Sequence, residues 1–284
     1  MTKPETLIDY GRRVARVTQH IADNLDAPLD IEALAAIAHF SPFHFHRIYR
    51  ETTGETAADT VRRMRLHRAA VELIRDKTSL GRIASRAGYG ALAAFSRAFS
   101  ADYGVPPGVY RLRAQLLPPV PQPKHEALDM YQVTIEPFAG VRLLCQEHRG
   151  DYQKIGGVFD RLYAWATPRG YLSPKTRSIG IYYDDPESVP QKQLRADAGL
   201  VVVSDFEPEG DMRIIEMPSL LCATVLHKGS YAELERPYRY LYRDWLPRSG
   251  READDYPCFE EYLNDPRSWP PSEWLTRIYL PVRP

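Results

Sequence analysis

The hydrophobic rhythm of the chain changes near residue 129. Before that point, apolar residues recur at helical spacing. Val14, Val17 and Ile21 do so within residues 6–24, which predicts a first helix. Asp30 can cap a short helix carrying Ile31, Leu34, Ala35 and Ala38. Ser41-Pro42 supplies a serine cap and a proline at the first helical position, and the helix FHFHRIYRETTG then runs to Gly54. Residues 56–75 predict a longer helix with the stripe Val61, Met64, Val71 and Ile74. Beyond 129 the rhythm shortens. VTIE (133–136), RSIGIYY (177–183) and GLVVV (199–203) predict strands, with helical stretches between some of them. The expected class is two domains, an all-α part followed by an α+β part.

Both parts repeat internally. Leu34-Ala35 matches Ile83-Ala84 at an offset of 49, and Phe45, Arg47, Tyr49 and Gly54 match Phe95, Arg97, Phe99 and Gly104 at 50. The slip of one falls in the turn that holds Gly88. Each copy is a helix, a tight turn and a helix, the pattern that places a second helix in the major groove of DNA. The helix between the copies would span about 30 Å, against ~34 Å between successive major-groove faces. Its Arg62, Arg63, Arg65 and Arg68 either meet phosphates or form a solvated face.

The α+β part repeats at a spacing near 80. His148 to Tyr152 matches His227 to Tyr231, Leu162-Tyr163 matches Leu241-Tyr242, and Pro168 matches Pro247. Tyr182 to Pro186 lines up with Tyr262 to Pro266, and Ile135-Glu-Pro137 is loosely echoed by Glu216-Met-Pro218. Each unit reads strand, helix, strand, strand, and two units predict a pseudo-twofold sheet with a central cleft. In this alignment Glu260 stands where the first unit has Gly180. Strand alternation puts Glu260 and Tyr262 on one face. Periodicity alone favours an exposed glutamate beside Glu261 in an acidic loop; a buried carboxylate facing the cleft is the alternative.

Composition sharpens the division. The 284 residues are 44% hydrophobic and 26% charged, enough for a core in each of two domains. The formal charge of zero conceals a net +5 over 1–115 and −5 over 116–284. A basic part of this kind suits nucleic acid. Between them lies QLLPPVPQPKHEA, whose prolines predict a semi-extended linker over 116–128, with domains at 1–115 and 129–284. No apolar stretch approaches the roughly 20 residues of a membrane span, and the start MTKPETLIDYGRRV shows no secretory signal. Cys145, Cys222 and Cys258 form no CxxC pair, so a reducing cytoplasm is expected. His44 and His46, at i and i+2, point to different helix faces, and no metal site or cofactor is expected.

SPFHFHRIYRETTGETAADTVRRMRLHRAA with IASRAGYGALAAFSRAFSADYGVPPGVYR resembles the paired helix-turn-helix domain of AraC/XylS-type transcription regulators, over roughly residues 8–112. The resemblance implies DNA contacts from Phe43, His46 and Arg47 in the first recognition helix, and from Ala93, Ser96 and Arg97 in the second. Ala91, Leu92, Ala93 and Ala94 carry no hydrogen-bonding side chains where the family often has polar readers. The second helix is therefore expected mainly to position the protein on the backbone. Phe45, Ile48, Tyr49, Phe95 and Phe99 are assigned to packing.

HRGDYQKIGGVFDRLYAWA, GIYYDDP, PCFEEYLNDP and EWLTRIYLPV resemble the GyrI-like effector-binding domain, over roughly 129–283. That resemblance implies a pocket glutamate at Glu260 with Tyr262 beside it, and Tyr182, Tyr183, Trp165 and Tyr152 as weaker candidates for the walls. An aromatic-lined carboxylate suits lipophilic cations or amphipathic drugs. The implied partners are double-stranded DNA and a small-molecule effector, with room for RNA polymerase and none for a membrane. Two other readings stay open: a GyrI-like hydrolase fused to a DNA-binding module, and a regulator controlled by a protein partner. GxSxG, HExxH, a P-loop and a strand-linked GxGxxG are all absent from the sequence, so an enzyme is not expected. His148 and His227 are read as turn residues.

Overall fold

The computed structural model describes residues 4–75, 77–115, 131–173, 175–186, 188–202 and 207–284. The Pro-rich segment 116–128, with His125, lies outside them. Contacts gather the chain into two compact units. One holds Met1–Met64, Phe138–Leu220 and Pro257–Glu261; the other holds Arg65–Pro137, Leu221–Tyr256 and Tyr262–Pro284. No helix among the described residues is long and apolar enough to cross a membrane.

The helical part comprises α1 (Pro4–Asp23), α2 (Ile31–Ile37), α3 (Pro42–Thr53), α4 (Ala57–Arg75), α5 (Leu80–Arg86), α6 (Leu92–Tyr103) and α7 (Pro107–Gln115). Its ends follow the sequence. The Asp30 carboxylate accepts from the Glu32 and Ala33 amides at 3.0 and 3.1 Å and starts α2. Ser41 stands at the cap of α3, but its hydroxyl makes no capping bond, and Pro42 supplies the start instead. Gly54 and Gly104 end α3 and α6 in the left-handed region, at φ 80° and 74°.

In the first unit, Phe45 and Tyr49 of α3 are buried with Val14, Val17 and Leu34. Full burial of such a ring contributes on the order of 2 kcal/mol. In the second, Phe95 and Phe99 of α6 take the same places among Leu66, Leu73 and Ile83. The stripe of α4 is displaced from the sequence expectation. Leu66, Ala69, Ala70 and Leu73 are its buried apolar residues in the second unit, while Val71 and Ile74 are only half-buried. Val61 and Met64 pack in the first unit's core, and Val71 and Ile74 pack against the second's.

The α+β part begins with β1 (Val133–Phe138), β2 (Val141–Arg149), α8 (Gly156–Ala166), β3 (Ser178–Tyr182) and β4 (Arg195–Val201). It continues with β5 (Met212–Met217), β6 (Leu220–Lys228), α9 (Glu235–Arg239), α10 (Leu246–Ser249), β7 (Cys258–Tyr262) and β8 (Leu275–Pro281). Within the first unit the strands run β5-β2-β4-β3-β7. β2 pairs antiparallel with both β4 and β5, so that Cys145 faces Gly199 on one side and Arg213 on the other. One face of these strands receives α8, with Val158, Leu162 and Ala166 against Leu144, Ala196, Ala198 and Leu200. Within the second unit the run is β1-β6-β8, with Val225 opposite Ile278.

Each repeat also has a leading strand, of which the sequence pattern gave the first, in VTIE, but not its pairing, and the leading strands are exchanged. β5 precedes the second repeat yet pairs with β2 of the first, and β1 precedes the first yet neighbours β6 of the second. The helices also differ. α8 is continuous, whereas a π-helical stretch over Tyr240–Trp245 separates α9 from α10.

Candidate nucleic-acid interface and effector site

The packing of α3 fixes what it shows to solvent. With Phe45 and Tyr49 turned inward, His46, Arg47 and Arg50 are exposed. Phe43 lies in the first turn of the same helix. The Tyr49 hydroxyl is held between the Thr18 and Thr60 hydroxyls at 3.3 and 3.0 Å, which locks the inward face. On α6, Phe95 and Phe99 are fully buried, Ala93 and Arg97 are exposed, and Ser96 is half-buried. Leu92, in the first turn, is 44% exposed.

Arg63 and Arg68 of α4 are engaged within the protein. Arg63 bonds Glu55 at 2.7 Å and Asp160 at 3.3 Å. Burial opposes its charge, but the two carboxylates outweigh that and hold it protonated. Arg68 donates to the Arg86 carbonyl at 2.7 Å. These two are ties of the fold, and neither the phosphate reading nor the solvated-face reading describes them. Arg62 is exposed.

Glu260 is not in an exposed acidic loop. It lies within β7 and is 3% exposed. The sequence suggested exposure because Glu260 and Glu261 are adjacent acids, but a strand sends neighbours to opposite faces. Glu261 is buried with a cation. Arg177 grips its two carboxylate oxygens at 2.5 and 2.9 Å, and the guanidinium lies 5.2 Å from the Phe138 ring. Glu260 faces the other way, from the place where β3 has Gly180.

The aromatic candidates divide. Tyr182 meets Tyr152 edge-on at 4.9 Å. The Tyr152 hydroxyl is engaged by the Asp184 amide at 3.1 Å and the Arg195 carbonyl at 2.9 Å, and burial pushes its pKa up to about 12. Tyr152 thus pins a turn to the sheet. In the second repeat Tyr231 takes its place, 5.2 Å from Tyr262 and stacked on Trp274 at 4.2 Å. The sequence alignment paired Tyr231 with Tyr152 but gave no sign of Trp274, whose counterpart is Leu194.

Tyr183 and Trp165 do not join this group. Alternation turns Tyr183 to the face opposite Tyr182, where its hydroxyl donates to Asp197 at 2.7 Å. Asp197 is fully buried and also accepts from Arg213 at 2.6 Å. Burial, and then this carboxylate, push the neighbouring Cys145 thiol far up. Trp165 belongs to the core beneath α8, and the Arg169 guanidinium already lies 4.2 Å over its ring. That internal cation occupies the aromatic face that a ligand would need.

His148 and His227 are strand residues rather than the turn residues expected: they lie near the ends of β2 and β6, opposite Ala196 and Thr276. Burial lowers the pKa of both, and the His148 Nε2 lies 2.8 Å from the Asp151 carbonyl.

Residues 131–283 match the model of the GyrI-like small molecule binding domain, and residues 34–113 match a helix-turn-helix domain. The chain is 34% identical over 157 residues to a DNA gyrase inhibitor of Edwardsiella piscicida, covering 54% of this chain and 98% of that protein. It is 32% identical over 107 residues to the RCS-specific HTH-type transcriptional activator RclR of Escherichia coli K12, covering 38% of each. Among solved structures, the EcmrR–DNA complex aligns over 89% of this chain and 98% of its own, at 18% identity and a TM-score of 0.49.

Proposed function

The chain belongs to the GyrI-like small molecule binding family and joins that domain to an AraC-type helix-turn-helix domain, and from this premise we propose how the regulator works. Its GyrI-like half senses a lipophilic or cationic small molecule through Glu260. Its helical half holds double-stranded DNA by α3 and α6, in the cytoplasm. Phe43, His46 and Arg47 meet bases from α3, and Ala93, Ser96 and Arg97 meet DNA from α6. A bidentate Arg47–guanine pair would contribute roughly 1–3 kcal/mol of discrimination.

One observation carries the ligand class: a carboxylate 3% exposed, on the strand that bears Tyr262, where the other repeat has glycine. A carboxylate beside aromatic rings attracts positive charge, so a site built on one favours cations. Tyr182 and Tyr262 are the aromatic residues proposed beside it.

The test is titration of the purified protein with a panel of lipophilic cations and neutral aromatics, beside Glu260→Gln. Saturable binding of cations, weakened at least tenfold by the substitution, with the compound recovered unchanged, is the expected result. Loss of the compound on incubation would replace sensing by turnover. Cation binding indifferent to Glu260→Gln would remove the glutamate from the site.

The gyrase-inhibitor relative, matched over 98% of its length, favours a second reading, in which the GyrI-like half acts on DNA gyrase. Inhibition of gyrase supercoiling by the purified chain would support it, and unchanged supercoiling at micromolar protein would dismiss it.

A further inference from the structure

The two recognition helices share an exposed arginine, Arg47 in α3 and Arg97 in α6, and differ in the polar groups around it. In α3 the exposed positions include His46, Arg47 and Arg50. In α6 the exposed positions of the first turn are Leu92 and Ala93, preceded by the exposed Gly90 and Ala91. No side chain from 90 to 94 has a hydrogen-bond donor or acceptor. Phe95 and Phe99, fully buried, fix the rotation of α6, so this surface cannot turn into the core. The N-terminal turn of such a helix is the part that meets base edges.

Every base pair carries donors and acceptors in the major groove, but only thymine adds an apolar group there, the C5 methyl. An apolar helix turn gains nothing from amino, keto or N7 groups. Pressed against them it strips their water without replacing it, which is unfavourable. Against a methyl it removes apolar surface from water on both sides.

We infer that α6 is a reader of thymine methyl groups, with Leu92 and Ala93 as the specificity-determining residues of its half-site. Arg97, one turn on, anchors the helix to the backbone. This rests on the DNA-binding function proposed above, and it departs from a purely positioning role for the second helix. The half-site under α6 is thymine-rich at adjacent positions, whereas α3 adds the polar contacts of His46 and Arg47 to those of Phe43.

Uracil differs from thymine in the major groove by that one methyl. The experiment first selects a bound duplex from random sequences with the full chain. It then replaces the thymines of that duplex by uracil one at a time. Each contacted methyl should cost about fourfold in affinity, the value of one buried apolar carbon. In Leu92→Ala the thymine-to-uracil difference should shrink at the same positions, and the solvent-exposed substitution leaves the core intact. Arg97→Ala should weaken thymine and uracil duplexes alike and lower the salt slope by about one.

Equal affinity for thymine and uracil throughout would overturn the inference. So would a uracil penalty that survives Leu92→Ala and vanishes in Phe43→Ala, because the methyl reader would then be α3. If no sequence is enriched at all, the DNA-binding function fails first, and this inference with it.

Discussion

His39 and Gly88 hold the same place in the two helix-turn-helix turns, both with left-handed backbone, at φ 53° and 86°. The bonds around them match. The Phe40 amide donates to the Ala35 carbonyl and the Tyr89 amide to the Ala84 carbonyl, each at 2.9 Å. A residue with a Cβ there costs roughly 1–2 kcal/mol. Because glycine also gives entropy to the unfolded chain, His39→Gly should gain about 0.5–1 kcal/mol. Gly88→Ala should lose about 1–3 kcal/mol, since its new Cβ would stand 2.6 Å from the Arg65 guanidinium in a left-handed backbone. Urea midpoints of the two variants should move in opposite directions. Gly88 was visible in the sequence as the site of the one-residue slip. His39 was not, because a histidine carries no mark of left-handed backbone.

Helices α1 and α8 lie far apart in sequence and touch almost backbone to backbone. A Cβ at Gly11 would collide with the Ala164 carbonyl oxygen and lie 2.9 Å from Pro168 Cγ. Gln19 of α1 accepts from Arg161 of α8, and Arg12 bonds Glu209 at 2.5 Å. Gly11→Leu should therefore destabilise by at least 1–3 kcal/mol, read as a fall in Tm. Gly81, in α5, has open space where its Cβ would be, so Gly81→Ala should be neutral or stabilising by up to about 1 kcal/mol. This contact was illegible in the sequence. A glycine inside an amphipathic helix reads as a weak helix former, and nothing local says what approaches it. The helices themselves were legible, because Val14, Val17, Phe45 and Phe95 recur at a spacing that burial demands. Glu260 shows the limit of that method. Periodicity told which face it shares with Tyr262, but not that the strand is covered on both faces, and resemblance to a family supplied the difference.

For the molecule as a whole, two histidines, His227 buried and His148 half-buried, set an acid limit. His148 and His227 are held below the ordinary value of 6.5 by burial. The unfolded chain therefore takes up protons at these sites before the folded chain does. Stability should be level above pH 6.5 and fall as the pH drops from 6.5 toward the lowered folded values. Urea midpoints at pH 7.5 and 5.5 should show the decline, and His148→Gln with His227→Gln should reduce it. The exchanged leading strands bear on a longer history. β2 pairs with the strand that follows the first repeat, and β6 neighbours the strand that precedes it. A chain holding one repeat would have kept a bare strand edge beside its β2 equivalent, a surface that seeks another chain. Two such chains could have satisfied each other by lending first strands, as domain-swapped twins do. The present α+β half has the form that such a pair would take once a gene fusion joined them end to end.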